Sequence, residues 1–500
     1  MVASTGAIPS EQDPTPTHPS PPQPTATATG GLATTPPRGR ATIDERVSRG
    51  RRSRALLPRT AHGDWAPAAD RPDPVGILEQ QATTRVPDLV PIRYGRMAAS
   101  AFAFYRGAAA VMAHDLGTTD RSGLSVQLCG DAHLANFGGF ASPERSFVFD
   151  INDFDETHPG PFEWDVKRLA ASFEIAGRSR GFDAKLCAAL VTGTVKSYRR
   201  AMRTFAGMSN LDIWYATLDV DGIMRQWGGE MGGKAVKALQ RSTAKAESKD
   251  RLKAKAKLTQ VIDGELQFIS DPPLLVPVHE LFSPAEHELV EQTIASAFRL
   301  YRHTLSSDRR HLLEGYELTH LARKVVGVGS VGSRSWVALL IGRDADDPLF
   351  LQIKEAEASV LEPYAGKSQF ANHGQRVVTG QRLMQAASDI FLGWQHVIGV
   401  DDVHHDYYMR QLWDWKASAD LETMAADVMG VYGQICGWTL ARGHARSGDA
   451  VAIGAYLGGG DAFDRAIAEF AVTYADQNER DHSALVDAIT SGRVAAQFGI

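Results

Sequence analysis

The sequence predicts an α+β fold of two lobes, helix-rich overall, with a helical lobe first and a glycine-punctuated β lobe second. Three observations predict it. A short apolar strand pattern at 124–129 opens on the polar loop Gly130-Asp131-Ala132-His133-Leu134-Ala135-Asn136, and an Asp-rich strand pattern follows at 147–155. A run of strand, glycine turn, strand, polar turn and strand fills 323–356. Most of the remaining chain carries the apolar spacing of packed helices.

The bulk numbers agree with two lobes. Five hundred residues exceed one small domain, and 43% hydrophobic with 22% charged residues is ordinary for a globular chain. A net charge of -6 gives no whole-chain reason to expect nucleic acid as partner. Cys129, Cys187 and Cys436 lie too far apart for a zinc-ligand pair or a disulfide framework, a usage that fits a reducing cytoplasm. The start, MVASTGAIPSEQDP, has neither a basic nor an apolar leader segment, and no run approaches the roughly eighteen apolar residues of a membrane helix. A soluble, cytoplasmic protein without a membrane partner is expected.

In order, residues 1–60 read as a disordered tail with a basic arm. Pro, Thr, Ser, Ala and Gly dominate to about residue 40, a composition that cannot bury a core. The arginine-rich stretch 38–54 then reads as a solvated linker or frayed helix, with docking to nucleic acid or another acidic surface the alternative. The first lobe, 61–315, holds helical spacing at 91–116, the strand 124–129, the strand 147–155, and helices at 164–181 and 183–207. The lysine-rich 233–258 reads as an exposed amphipathic helix, DPPLLVP (271–277) as a break, and 284–315 as helix again. The β lobe, 316–416, contains the strand run, a helix at 373–388 and a strand entering a loop at 407–416; 417–500 returns to helix and completes the first lobe.

The chemistry concentrates in two places. Asp131 followed five residues later by Asn136, in a loop leaving a strand, matches a kinase catalytic loop, where the Asp orients the attacking hydroxyl and the Asn holds Mg²⁺. His133 sits between them, as in the loops of aminoglycoside-type phosphotransferases, with Cys129 in place of their leading His. Fourteen residues beyond Asn136 come Asp150, then Asp153 and Asp155. A carboxylate on the strand after such a loop is what a phosphate-bridging metal needs. Asp153-Phe154-Asp155 imitates Asp-Phe-Gly and Asp150 better suits the spacing, so the choice of metal ligand among the three stays open.

The second place is Gly327-Val328-Gly329-Ser330-Val331-Gly332. A dinucleotide fingerprint would open into a helix. This one continues into the strand-like 335–342, as a phosphate-covering hairpin does, and glycine lets backbone N–H groups come close. Gly327, Gly329, Ser330 and Gly332 are therefore the expected phosphate cradle. Lys354, twenty-two residues beyond Gly332, stands where a strand lysine grips the α- and β-phosphates. The order is reversed relative to ordinary kinases, since the glycine loop follows the catalytic loop by about 190 residues. Together these observations predict a circularly permuted, protein-kinase-like fold with ATP and Mg²⁺ as cofactors. In it, 407–416 serves as the interlobe hinge, and 433–448 as the helix that ordinarily precedes the catalytic loop.

The chain resembles the bacterial family catalogued as domain of unknown function 2252 (DUF2252). The resemblance rests on PIRYGRMAASAFAFYRG, QLCGDAHLANFGGF, FVFDINDFDETHPGPFEWDVKRLAAS, RKVVGVGSVGSRSW, GQRLMQAASDIFLGW, YYMRQLWDWK and YADQNERDH, together spanning roughly 60–490. Against the kinase pattern two departures stand out. The helix after Lys354 offers Gln375 and Gln381 but no glutamate for the lysine's ion pair, with Glu355, Glu357 and Glu362 nearby in sequence, and Asp155 replaces the glycine of Asp-Phe-Gly.

The function expected from the residues is Mg-ATP-dependent phosphoryl transfer to a small-molecule or protein hydroxyl. Nucleotidyl transfer, a non-catalytic nucleotide-binding scaffold and a metal-dependent phosphohydrolase are the rivals. Asp165 reads either as a brace for the catalytic loop or as a helix N-cap. His404-His405-Asp406 read as surface or hinge polar residues, because adjacent side chains on a strand face opposite ways. Arg96 and Arg106 read first as packing or salt-bridge residues and second as phosphate contacts. Tyr474, Asp476 and Asp481 are further cleft candidates.

Overall fold

The computed structural model describes residues 41–500 apart from 234–235, 238–239, 242, 245–250, 326, 400–402 and 413–414. The expected disordered tail and the first three residues of the basic arm therefore lie outside the described residues, as do much of the lysine-rich segment and part of the hinge. The rest of the arm is a helix, Ile43–Leu56, opened by a capping box between Thr42 and Glu45. It docks on the chain itself. Arg46 pairs with Asp449 at 2.7 Å, and Arg54 and Arg59 donate to the last carbonyls of the helix Ala450–Leu457, where a cation meets the negative helix end.

The helical spacing of 91–116 resolves into three helices, Val90–Ala98, Ala101–Gly107 and Ala109–Gly117. The first break has a local cause: Ser100 is extended, and its hydroxyl accepts from the Ala103 amide, starting a new helix. Strand β1 (Ser125–Leu128) runs into the polar loop, β2 (Phe137–Ala141) and β3 (Phe147–Ile151) form a hairpin after it, and β4 (His158–Pro161) returns to pair antiparallel with β1. The long helices Phe162–Ser179 and Ala184–Phe205 follow, and Ala426–Ser447 and Ala462–Thr490 join them from the far end of the chain. Their apolar faces share one core with β1 and the polar loop, including Phe162, Phe173, Val191, Leu440 and Phe470.

The second body of structure is a sheet. After the hairpin β5 (Thr259–Ile262) and β6 (Glu265–Phe268) come β7 (Leu275–Pro277), β8 (Glu317–Lys324), β9 (Ser335–Ile341), β10 (Pro348–Glu355), β11 (Gly393–Ile398) and β12 (His404–Gln411). β7 to β12 form one antiparallel sheet in the order β11-β12-β10-β9-β8-β7, with the helix His373–Met384 between β10 and β11 in sequence. Both faces are covered. Tyr301 and Leu313 pack on Ala338, Leu340 and Leu351, while Ala254, Leu258 and Phe268 pack on Val337, Leu339 and Phe350. Packing thus draws residues 251–315 to the sheet rather than to the large helical core, and 271–277 contributes the edge strand β7. A last short strand, β13 (Ala417–Ser418), leaves the sheet and pairs with β2. The architecture is mixed α+β.

Candidate active site

The polar loop after β1 is held from below. Asp165, on the first turn of the helix Phe162–Ser179, accepts from the amides of Cys129 at 2.8 Å and Gly130 at 3.1 Å, and lies 3.2 Å from His444 Nε2. His444 is fixed in turn by Tyr198, whose hydroxyl lies 2.8 Å from Nδ1. Asp165 is a brace and not an N-cap. Gly130 takes φ +84° and packs against the Glu156 backbone, a place where a side chain would strain and collide.

On this base Asp131 turns toward a cleft. Arg168 binds its Oδ1 at 2.7 Å, and His133 Nε2 lies 3.7 Å from Oδ2. His133 is buried and held well below its usual pKa by that burial and by the Arg168 and Arg106 charges, so it is neutral. Asn136 donates from Nδ2 to the Asp131 carbonyl at 2.9 Å and lines the cleft.

The Asp-rich segment divides sharply. β3 stops at Ile151, so the alternation expected through Asp155 is broken. Asp150, fully buried, accepts from Arg442 at 2.5 Å and from the Ile151 and Ala386 amides at 2.8 Å. Both of its oxygens are engaged in the interior, and it lines neither cavity of the cleft. Asp153 and Asp155 face the cleft. Asp155 is engaged as well: Lys354 Nζ pairs with its Oδ2, the Tyr408 hydroxyl donates to Oδ1 at 2.6 Å, and Ser330 Oγ lies 3.4 Å away. Burial pushes the Asp155 carboxyl up, but Lys354, Tyr408 and Arg410 outweigh it and leave it below the usual carboxylate range. Asp153, 4.0 Å from Lys354, is pushed up by burial and by the adjacent Asp155 charge. Its Oδ1 accepts from the Asp155 amide at 3.1 Å, and of the three it is the least engaged.

Lys354 comes from β10 and is 2% exposed. Burial disfavours its charge, yet Asp153 and Asp155 overcome this and hold it protonated. Asp155 supplies the ion pair of Lys354, and the helix His373–Met384 supplies none. That helix instead sends Arg376 to the carbonyls of Asp155 and Glu357 at 2.8 Å and of Thr157 at 2.6 Å, and so pins the turn that carries the carboxylate. Glu355 is taken by Arg334 and His405, and Gln381 binds Gln385.

Gly327 to Gly332 cover this point. Gly327 takes φ +67° and Gly332 φ +91°, and a Cβ on Gly332 would stand 3.1 Å from the Arg85 side chain. The loop is tied to the first lobe: Arg85 donates to the Val331 carbonyl, Arg96 to that of Gly327, and the Val86 amide to that of Gly332 at 2.8 Å.

Two cavities meet under the loop. The larger, of about 390 Å³, runs from Lys354 and Arg410 past Gln411 and Leu412 to Phe140. The smaller, of about 160 Å³, holds Asp131, His133, Glu156 and Arg93. Asn136, Asp153, Gly327, Ser330 and Arg106 line both.

The remaining candidates lie elsewhere. Tyr474 bonds Asp115 and Asp481 pairs with Arg71 in the core, Asp476 pairs with Arg178, and His396, His404 and Asp406 bond one another at the far end of the sheet. Sequence reasoning missed Arg85, Arg93, Glu156, Tyr408 and Arg410, whose roles depend on contacts between distant segments; Arg106 was read only as a secondary phosphate contact.

Neither the curated proteins nor the solved structures offer a match to this chain. Residues 85–488 match the model of the family described as an uncharacterized protein conserved in bacteria. The match takes in the β lobe, most of the helical lobe and every candidate site residue, and the chain belongs to the DUF2252 family.

Proposed function

We propose that the chain is a Mg-ATP-dependent phosphotransferase, with a circularly permuted kinase-like fold, acting on an acceptor hydroxyl. One observation carries the reading: Lys354 of the sheet and Asp155 of the Asp-rich segment, 199 residues apart, pair at a cleft lined by Gly327–Ser330, Asp131 and Asn136. The strand order supports it too. The chain runs β8, the glycine loop, β9, β10 with Lys354, helix, β11, β12, so the loop joins the first two strands of this run and the lysine is on its third, the arrangement a protein kinase has.

In this reading the larger cavity takes the nucleotide, with its base toward Gln411 and Leu412 and its phosphates toward Lys354 and the glycine loop. Asn136 and Asp153 are the oxygen donors that would hold Mg²⁺, and a cation held there would supply positive charge against the phosphates. Asp153 suits that role, because a carboxyl pushed up by burial and a neighbouring charge gains most from a cation. Among the described residues no three His, Cys, Asp or Glu side chains form a metal cage, and Mg²⁺ at a phosphate site needs none, since phosphate and water supply its other ligands.

Asp131 orients the acceptor hydroxyl. The hydroxyl oxygen bonds to the terminal phosphorus, the bond from that phosphorus to the bridging oxygen breaks with its electron pair leaving on ADP, and the proton passes to the Asp131 carboxylate. Lys354 holds the other phosphates and, by staying charged, screens their approach to Asp155.

Incubation with Mg²⁺ and ATP labelled at the α- or γ-phosphate tests the reading. Transfer of the γ-label, abolished by Asp131→Ala, is expected. Transfer of the α-label, or γ-transfer indifferent to Asp131→Ala, overturns it.

A further inference from the structure

Three arginines that line the smaller cavity hold buried nitrogens with no hydrogen-bond partner in the chain. Arg93 is 1% exposed. Its one engaged nitrogen donates to Gln81 Oε1 and the Gly107 carbonyl, both at 3.0 Å, while Nε and the other terminal nitrogen are buried without a partner. Arg85 and Arg106 line the same cavity, and each has a buried Nε without a partner. An unpaired buried guanidinium is costly, and burial together with Arg85 presses the Arg93 charge toward neutrality.

The neighbouring carboxylates offset part of that charge without bonding to these nitrogens. Asp131 is engaged by Arg168, Asp155 by Lys354 and Tyr408, and Glu355 by Arg334 and His405. Glu156 is pushed up to about 7 by burial, Asp153 faces Lys354 at 4.0 Å, and Glu357 is exposed. The helix Ala109–Gly117 adds an independent feature. It begins with Ala109 on the cavity wall and has no side-chain cap, which leaves its positive end uncapped beside the same space.

Resting on the phosphotransferase reading, we propose that this cavity is the acceptor subsite and that the acceptor is a small alcohol carrying a phosphate group. Arg93, Arg106 and Arg85 hold the phosphate against the helix end at Ala109, and the free hydroxyl is presented to Asp131. The 160 Å³ volume admits a compact molecule and excludes a folded protein segment.

Calorimetric titration of the full chain with glycerol 3-phosphate, glycerate and glycerol tests this, with and without Mg²⁺ and a non-hydrolysable ATP analogue. Glycerol 3-phosphate is expected to bind alongside the analogue, and at least tenfold more tightly than glycerate or glycerol. Arg93→Met is expected to weaken it at least tenfold with nucleotide affinity unchanged, and to melt no lower than the parent in the absence of ligand. Arg106→Gln provides a second variant with the same expected loss. Equal binding by parent and both variants, absence of binding, glycerate binding as tightly, or mutual exclusion with the analogue overturns the proposal. Arginine-dependent binding of glycerol 3-phosphate by a chain that ignores nucleotide upholds the anion subsite and overturns the phosphotransferase reading alone.

Discussion

Asp150→Asn separates a structural carboxylate from a metal ligand. The Asp150 side chain is fully buried and Arg442, itself 1% exposed, lies 2.5 Å away. Asparagine keeps the shape and removes the charge, leaving a buried guanidinium that already has one nitrogen without a partner. Breaking a buried pair from one side costs about 3–5 kcal/mol. Removing Arg442 as well, in Asp150→Asn with Arg442→Met, is expected to recover about 1–3 kcal/mol as a coupling between contacting residues. Urea unfolding of the four proteins of this cycle, in chelator and without nucleotide, measures both quantities through the midpoint at constant slope. Should Asp150→Asn unfold within about 1 kcal/mol of the parent while losing its response to Mg²⁺, the pair is not structural and Asp150 belongs to the metal site.

Three other perturbations follow from the geometry. Glu156 is pushed up to about 7 in the fold from an ordinary 4.5. The unfolded chain therefore releases this proton first as pH rises between about 4.5 and 7, and stability falls across that window by about 2–3 kcal/mol. Glu156→Gln is expected to flatten this part of the stability–pH curve, and an unchanged slope would refute the assignment. Asp165→Ala removes the acceptor for two loop amides, so hydrogen exchange at Cys129 and Gly130 is expected to accelerate while β8 to β10 keep their protection; uniform acceleration would point to global loosening instead. Gly332→Ala forces a side chain into φ +91° beside Arg85, at a cost of about 1–2 kcal/mol. It is expected to weaken nucleotide binding, and unaltered affinity would show that the loop does not touch the phosphates.

Much of the site was legible because its parts are local. Gly130 to Asn136, the strand-bounded glycine loop and Lys354 each carry their meaning within a few residues. The misreadings arose where meaning depends on a remote partner. Spacing favoured Asp150, yet it answers Arg442, which lies 292 residues away. The absent glutamate looked like a defect in the lysine's environment, and Asp155 fills the role from another segment. The cavity arginines were illegible for the same reason: Arg85 sits in a bend and Arg93 in ordinary helical spacing, and only the fold brings them with Arg106 to a common space. In the fold, DPPLLVP read as a break because its prolines suit an edge, and β7 is an edge strand there.

The central claim is that Lys354 and Asp153 act on one nucleotide from opposite sides of the cleft. Titration of a fluorescent ATP analogue into the parent, Lys354→Met and Asp153→Asn, each with Mg²⁺ and with chelator, tests it most directly. The expected result is tight binding by the parent only with Mg²⁺, with Lys354→Met weakened in both conditions and Asp153→Asn unresponsive to the metal. Binding by the parent that ignores Mg²⁺ and survives both substitutions would contradict it.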